Sequence, residues 1–549
     1  MKQRIAKPDP AFVPDRVVAR VAALAVLVSM CSFFYYLQRG EILTHGDAVA
    51  HINIARRVFD SLTPGPLQLG TVWLPLPHLL MMPFLWSNAM WQSGAGGSFP
   101  SMIAYVFGVL GILRLVRSLL ESNERTRPAA IVGACVAVFA YGTNPNLIYM
   151  QATALTETLY LAFYIWAVVF FADFLRSIGN GNSDTEPARR ALRQCAWCVA
   201  CAELTRYDGW FLAGVIGAIV VLTALKSWQD RDLRKISVKF LLAISVAPAL
   251  WLIYNAAVYG NALEFANGPY SAKAIELRVQ APNPAFHSLW TGGLYFLKSA
   301  QANFAVGDWG RFWVAAAVFA TILAFWIMRK ESWAILLLLW APIAFYAYSI
   351  SWGSVPLHVP MWWPHAVFNQ RFGMELVPLF SVSAGLLVAT AAAAWFHGQA
   401  WKLAPVIALL VMTSYAFVWK EKPLCWQEAN NSWEMRRGLD TAVERAITAL
   451  PPDSKFMMDT GEHVGIMERL GIPLRRVVNG ENHRAWKRPT DPEGIWEQAL
   501  ADPARYVNYV IAFEGDSVDQ GVNRKNLTLL SEIHALGHPT ARIYATHGR

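Results

Sequence analysis

Apolar runs of membrane-crossing length recur along this chain, separated by short segments rich in Arg, Lys and aromatic residues. They fall near residues 17 to 37, 100 to 118, 129 to 143, 153 to 175, 194 to 205, 209 to 226, 238 to 258, 311 to 328, 333 to 350, 372 to 395 and 402 to 419. The hydrocarbon core of a bilayer takes about 20 residues of helix, and only helices or closed barrels satisfy the backbone there. The pattern predicts an all-α polytopic membrane domain over residues 1–419 with about eleven transmembrane helices, of which 129 to 143 and 194 to 205 are short for a span. At 55% hydrophobic and 15% charged residues over 549 positions, the chain is too apolar for a soluble protein of its length.

A net charge of +9 raises nucleic acid as a partner. The basic residues, however, sit in alternate short loops: Lys2, Arg4, Lys7 and Arg16; Arg125 and Arg127; Arg176, Arg189, Arg190 and Arg193; Arg231, Arg234 and Lys235; Arg329 and Lys330. That is the positive-inside distribution with a cytoplasmic N-terminus, so the partner is the lipid bilayer and nucleic acid is discounted. The first run lacks a small-residue cleavage site and is expected to stay as an anchor. Of the six cysteines, all but Cys425 lie in apolar stretches, and Cys195, Cys198 and Cys201 share one helix face with no His or second Cys pair to complete a zinc set.

On this topology the opposite side receives residues 39 to 99, 259 to 310 and 351 to 370 and everything after about Trp419. Residues 420–549 alternate β-rich runs (Lys455 to Asp459, Arg475 to Val478, Tyr506 to Phe513, Ala541 to Ala545) with helical patterns at Glu462 to Leu470, Gly494 to Leu500 and Asn526 to Leu536. This predicts a small extracytoplasmic α/β domain. Asp459-Thr-Gly-Glu-His463 fits a strand-to-helix turn with an ordinary cap. No internal repeat is present, which weakens an inverted-repeat transporter reading.

Polar chemistry concentrates on that second side. In the first loop Asp47 stands at the membrane boundary with His51 four residues on, so a helix there turns both to one face. Asp47 can accept a proton from a hydroxyl, and it can equally cap the helix. Arg56 and Arg57 are expected to meet lipid headgroups. The loop re-enters the membrane through Trp73-Leu-Pro-Leu-Pro-His78. Glu157 opens an apolar run, where a lone carboxylate costs about 2.5 kcal/mol or more unless it lines a cavity or meets a partner such as an Arg of another helix. Glu203-Leu-Thr-Arg206-Tyr207-Asp208 forms a turn between two runs, with Asp208 read as a helix cap or the partner of Arg206. Phe368-Asn-Gln-Arg371-Phe-Gly-Met-Glu-Leu-Val-Pro378 begins another, and Arg371 there needs an anion, a phosphate or Glu157.

Taken in order, an acid after the first span, Trp-x-Pro-Leu-Pro, a second acid, Thr-Arg and Arg-aromatic resemble the GT-C glycosyltransferases. Within these the chain is similar to the polyprenyl-phosphate-sugar-dependent branch, which includes protein mannosyltransferases and aminoarabinose transferases. The resemblance implies an inverting glycosyltransferase that moves a sugar from a polyprenyl-phosphate-linked donor to a hydroxyl of a glycan, lipid or protein acceptor at the outer membrane face, and the compact loops with no eukaryotic sorting signal point to a bacterial inner membrane. It implies Asp47 and Glu157 as catalytic, Arg206 and Arg371 as donor-phosphate ligands, and His51, His78, Trp73, Tyr207 and Asp208 as substrate contacts. Two departures keep the acceptor open. Asp47-Ala48 stands where the mannosyltransferases carry Asp-Glu, and Trp-Leu-Pro-Leu-Pro stands where the aminoarabinose enzymes carry Glu-Lys-Pro. No Walker motif or Gly-rich βα turn is present, which favours a lipid-linked over a nucleotide donor. No spacing among His78, His358, His365 and Glu264 forms a metal motif, so no metal or other cofactor is assigned. The competing reading is a lipid-linked-sugar flippase or transporter that breaks no sugar bond.

Overall fold

The structure, a computed structural model, describes residues 16–179, 185–279, 282–328, 331–353, 355–461, 463–482 and 493–547. Lys2, Arg4, Lys7, Arg329, Lys330 and Glu462 lie outside the described residues. Among those described, nine helices are long and apolar enough to cross a membrane, from Arg16–Gln38 at one end of the chain to the stretch within Ala400–Thr448 at the other. The other two expected spans are helices that fall short of this. Arg127–Gly142 is apolar but short. The run 194 to 205 ends the helix Glu186–Glu203, whose first half carries Arg189, Arg190 and Arg193 and buries one face only, through Ala188, Leu192, Cys195 and Val199.

Helices Glu157–Gly179 and Val377–Trp395 form the centre of the bundle and are the most enclosed. Arg16–Gln38 and Ala400–Glu421 lie at its rim, where Leu24, Leu27, Leu409 and Met412 are exposed, as lipid-facing side chains must be. After Glu421 a second helix, Leu424–Thr448, leads into a five-stranded sheet: β1 Phe456–Met458, β2 Val477–Val478, β3 Tyr509–Phe513, β4 Leu527–Ile533 and β5 Ala541–Thr546. Their spatial order is β2-β1-β3-β5-β4, with β1 parallel to β2 and β3, and β5 antiparallel to β3 and β4.

The sheet corrects one expectation, since Asn526 to Leu536 is not a helix but contains edge strand β4. Leu527, Leu530 and Ile533 recur every third residue and so imitate a helical stripe. A register shift between Leu529 and Ser531 breaks the two-residue alternation that would have marked a strand.

The tail rests on the first loop. Asn53, in the helix Gly46–Arg57, donates to Glu468 Oε2 at 3.3 Å and accepts from Trp91 Nε1 at 3.0 Å. Burial pushes the Glu468 carboxyl up to about 8, against the pull of Arg469, the Asn53 hydrogen bond and Arg436. The folded protein thus holds a proton that the unfolded chain releases above the ordinary value of 4.5, so this residue's stabilisation is full below 4.5 and is lost as pH rises to about 8. Glu468→Gln, which keeps the amide-sized group without the charge, is expected to flatten the fall in thermal unfolding temperature over that range. A variant whose stability falls with pH as steeply as the wild type would remove Glu468 as the cause.

Arg56 and Arg57 are both engaged within the protein. Arg56 is buried, with Nε on Asp60 at 2.8 Å, Nη1 on the Leu85 carbonyl at 2.6 Å and Nη2 on Asn88 at 2.6 Å. Arg57 Nε donates to the Gln68 carbonyl at 2.7 Å. Both guanidiniums tie the loop to itself, because an Arg fork satisfies several carbonyls that an apolar-facing loop would otherwise leave bare.

Candidate active site

Two arginines from distant parts of the chain meet where the bundle joins the first loop and the tail. Arg371 is carried by the 3-10 turn Gln370–Leu376, which Asn369 opens at a left-handed φ of 55°, a conformation Asn tolerates well. The turn lies against the helix Leu289–Phe304, where Ser299 Oγ and Asn303 Nδ2 both donate to the Gln370 carbonyl, at 2.6 and 2.7 Å. A Cβ at Gly373 would stand 2.5 Å from the Ala300 nitrogen, so only glycine permits this approach. Arg206 sits in the turn between Glu186–Glu203 and Asp208–Lys226, which closes because Gly209 has no Cβ to strike the Ala202 carbonyl.

Around Arg371 stand three carboxylates: Glu157 Oε1 at 2.9 Å from Nε, Glu428 Oε1 at 2.6 Å from Nη1 and Asp47 Oδ2 at 2.5 Å from Nη2. Arg206 holds Asp208 Oδ2 at 2.8 Å through Nε and Glu157 Oε1 at 3.0 Å through Nη1, with Glu375 Oε1 at 3.7 Å. Tyr346 Oη lies 2.9 Å from Asp208 Oδ2, 2.7 Å from Glu375 Oε1 and 3.2 Å from Arg206 Nη2. The Phe372 ring lies 5.0 Å from the Arg206 guanidinium carbon and 5.2 Å from that of Arg371, so its face serves both cations. Glu157 is therefore shared: it joins the two arginines in one cluster, and it sits with Asp47 on the same guanidinium.

Asp47 does not cap its helix. His45 does, its Nδ1 accepting from the Asp47 N–H at 3.1 Å, while its Nε2 lies 3.7 Å from Glu428 Oε1. Burial pushes the Asp47 carboxyl up, but Arg371 and then His45, His51 and Arg206 outweigh it and hold it below the ordinary carboxylate range. Burial pushes His51 down to about 4, against the attraction of Asp47 and Glu157, so the ring is neutral at neutral pH. Its Nδ1 is 2.9 Å from His78 Nε2, and its ring packs 4.7 Å from that of Trp73.

Of the expected substrate contacts, His51 lies close enough to feel the Asp47 charge, Trp73 packs on His51, and Asp208 is spent on Arg206 and Tyr346. His78 is fully buried behind His51 and reaches the site only through it. Tyr207 is a strut: its hydroxyl donates to the Val72 carbonyl at 3.1 Å and accepts from Trp251 Nε1 at 3.2 Å. His358, bonded to the Pro282 carbonyl at 2.8 Å, ties two outer loops together, His365, bonded to that of Pro360 at 3.0 Å, serves its own loop, and Glu264 accepts from Asn261 at 3.1 Å. In the tail, His463 bonds Asp440 at 3.0 Å and stacks on Phe513. Among the described residues no group of three or more His, Cys, Asp or Glu is arranged to hold a metal ion.

Sequence reasoning missed His45, Tyr346, Glu375 and Glu428. Glu375 lies four residues after Arg371, inside the motif already singled out, and His45 stands two residues before Asp47. Glu428 had no such signal.

Fold and site together describe a polytopic helical membrane bundle whose charged cluster lies beneath its first loop and tail. No protein-family model matches the sequence, and no curated protein does. Among solved structures the chain is similar to ArnT from Cupriavidus metallidurans bound to undecaprenyl phosphate, with a TM-score of 0.55 at 12% identity over 96% of this chain and 97% of that one. The apo form of the same protein gives a TM-score of 0.54 at the same identity and coverage.

Proposed function

We propose that this chain is an inverting glycosyltransferase that moves a sugar from a polyprenyl-phosphate donor to an acceptor hydroxyl at the outer face of a bacterial inner membrane. The observation that carries the reading is the exposure of Asp47. Its side chain is 34% exposed, while Glu157, Asp208, Glu375 and Glu428 are 2 to 7% exposed, so it is the one carboxylate of the cluster that an acceptor can approach. Asp47 takes the hydroxyl proton as the acceptor oxygen attacks the anomeric carbon. The bond from that carbon to the phosphate oxygen breaks on the opposite side, which inverts the configuration, and the phosphate leaves with the bonding electrons. Arg371 and Arg206 neutralise the charge that develops there. Before the donor arrives Glu157 sets the spacing of the two guanidiniums, and the Trp73 ring, packed on the buried His51, offers a neutral face to the sugar. The GT-C fold and the undecaprenyl phosphate bound by the ArnT structure support a lipid-linked donor.

The test is sugar transfer by the purified protein in lipid, with radiolabelled polyprenyl-phosphate sugars and a panel of glycan, lipid and protein acceptors. Label appearing on an acceptor, with free polyprenyl phosphate released in equal amount, is the expected result. Donor moved between leaflets with its sugar bond intact would instead establish the flippase reading.

A further inference from the structure

Five carboxylates, Asp47, Glu157, Asp208, Glu375 and Glu428, surround the two guanidiniums of Arg206 and Arg371. Such a cluster has no surplus of positive charge to offer an anion. Even with one proton shared by Asp208 and Glu375 across Tyr346 Oη, four negative charges would face two positive ones. A phosphate that enters must therefore displace a carboxylate, and the displaced carboxylate must then do without its counter-charge.

Glu157 is the group so placed. Among the described residues it is the one carboxylate within 3.0 Å of both guanidiniums, and both contacts fall on Oε1. Its Oε2 is buried with no hydrogen-bond partner. The side chain is 2% exposed, so water cannot replace the arginines if they turn to another anion. We propose that donor binding takes up one proton: the phosphate displaces Glu157 from Arg206 and Arg371, and the carboxylate that loses them is protonated. The inference rests on the donor reading above. No donor bond breaks in this step. The phosphate brings one negative charge, the proton from solvent brings one positive charge, and the new O–H of Glu157 donates to a phosphate oxygen, giving Oε2 the partner it lacks.

The other groups facing Glu157 are less suited to take that proton. Glu428 keeps the Arg371 backbone N–H at 3.1 Å and the nearby His45, and Asp208 keeps Tyr346. Glu375 is already hydrogen-bonded by Tyr346 and touches Arg206 only distantly. Asp47 is open to water, His51 is held neutral, and Cys425, which lies close enough to feel the Glu157 charge, is a thiol bonded to Asn303.

Calorimetric titration of the full chain in lipid nanodiscs with prenyl methyl phosphate, a diester of fixed single charge, measures the uptake directly when run in two buffers of different ionisation enthalpy. About one proton per bound diester is expected, with Kd rising roughly tenfold per pH unit as the medium becomes alkaline. In Glu157→Gln the uptake vanishes and Kd no longer follows pH. Binding by the wild type without proton uptake, or equal uptake in the variant, overturns the coupling and leaves the donor reading in place. Failure of the wild type to bind the diester at any pH overturns both, and the wild-type measurement decides whether or not the variant folds.

Discussion

Asp47→Asn lowers sugar transfer by about 10²- to 10⁴-fold, the range a positioned general base contributes. The substitution changes little else. The amide oxygen still accepts from Arg371 Nη2, and the helix Gly46–Arg57 keeps its cap, because His45 supplies it. The unfolding temperature therefore stays near that of the wild type, and the affinity for a phosphodiester analogue is kept or raised, since one competing negative charge is gone from Arg371, while transfer is lost. The pH profile carries a second expectation. Burial pushes the Asp47 carboxyl up, but Arg371 and the other nearby cations outweigh it, so the base stays ionised as pH falls through the ordinary carboxylate range. Loss of rate on the acid side from this group is expected only below that range. Equal transfer by the Asp47→Asn variant and the wild type would take Asp47 out of the chemistry, and the pH profile would then report another group.

The membrane domain and half of the site were legible for one reason. Charges inside or beside apolar runs are expensive, so Glu157, Arg206 and Arg371 stood out, and the structure brings all three together with Asp47. Glu428 lies in the helix Leu424–Thr448, beyond the last apolar run, where a carboxylate is unremarkable; only the fold carries that helix back over Arg371. Arg56 shows the converse error. Near a membrane surface a basic pair reads as a headgroup contact, and nothing in local sequence reveals that Asp60, Asn88 and the Leu85 carbonyl converge on Arg56. Edge strand β4 was misread through periodicity: its bulge erased the alternation.

Arg371→Met separates what the cluster does for the fold from what it does for chemistry. Removing the guanidinium strands Asp47 and the nearly inaccessible Glu428 and leaves Glu157 with Arg206 alone, and breaking a buried ion pair from one side costs about 3 to 5 kcal/mol. A marked fall in unfolding temperature in detergent is expected, along with loss of transfer. Lysine is no remedy, because a single ammonium on a flexible stem cannot meet carboxylates lying separately off Nε, Nη1 and Nη2. The informative protein is the double variant Arg371→Met with Glu428→Gln. It removes the most closely held of the buried charges with its partner, so much of the lost stability is expected to return, since a matched deletion avoids an uncompensated ion. Transfer is not expected to return with it: the cation beside Asp47 and the departing phosphate is still missing. Recovery of both stability and transfer would make Arg371 a counter-ion for the fold alone, and the phosphate would then have to rely on Arg206.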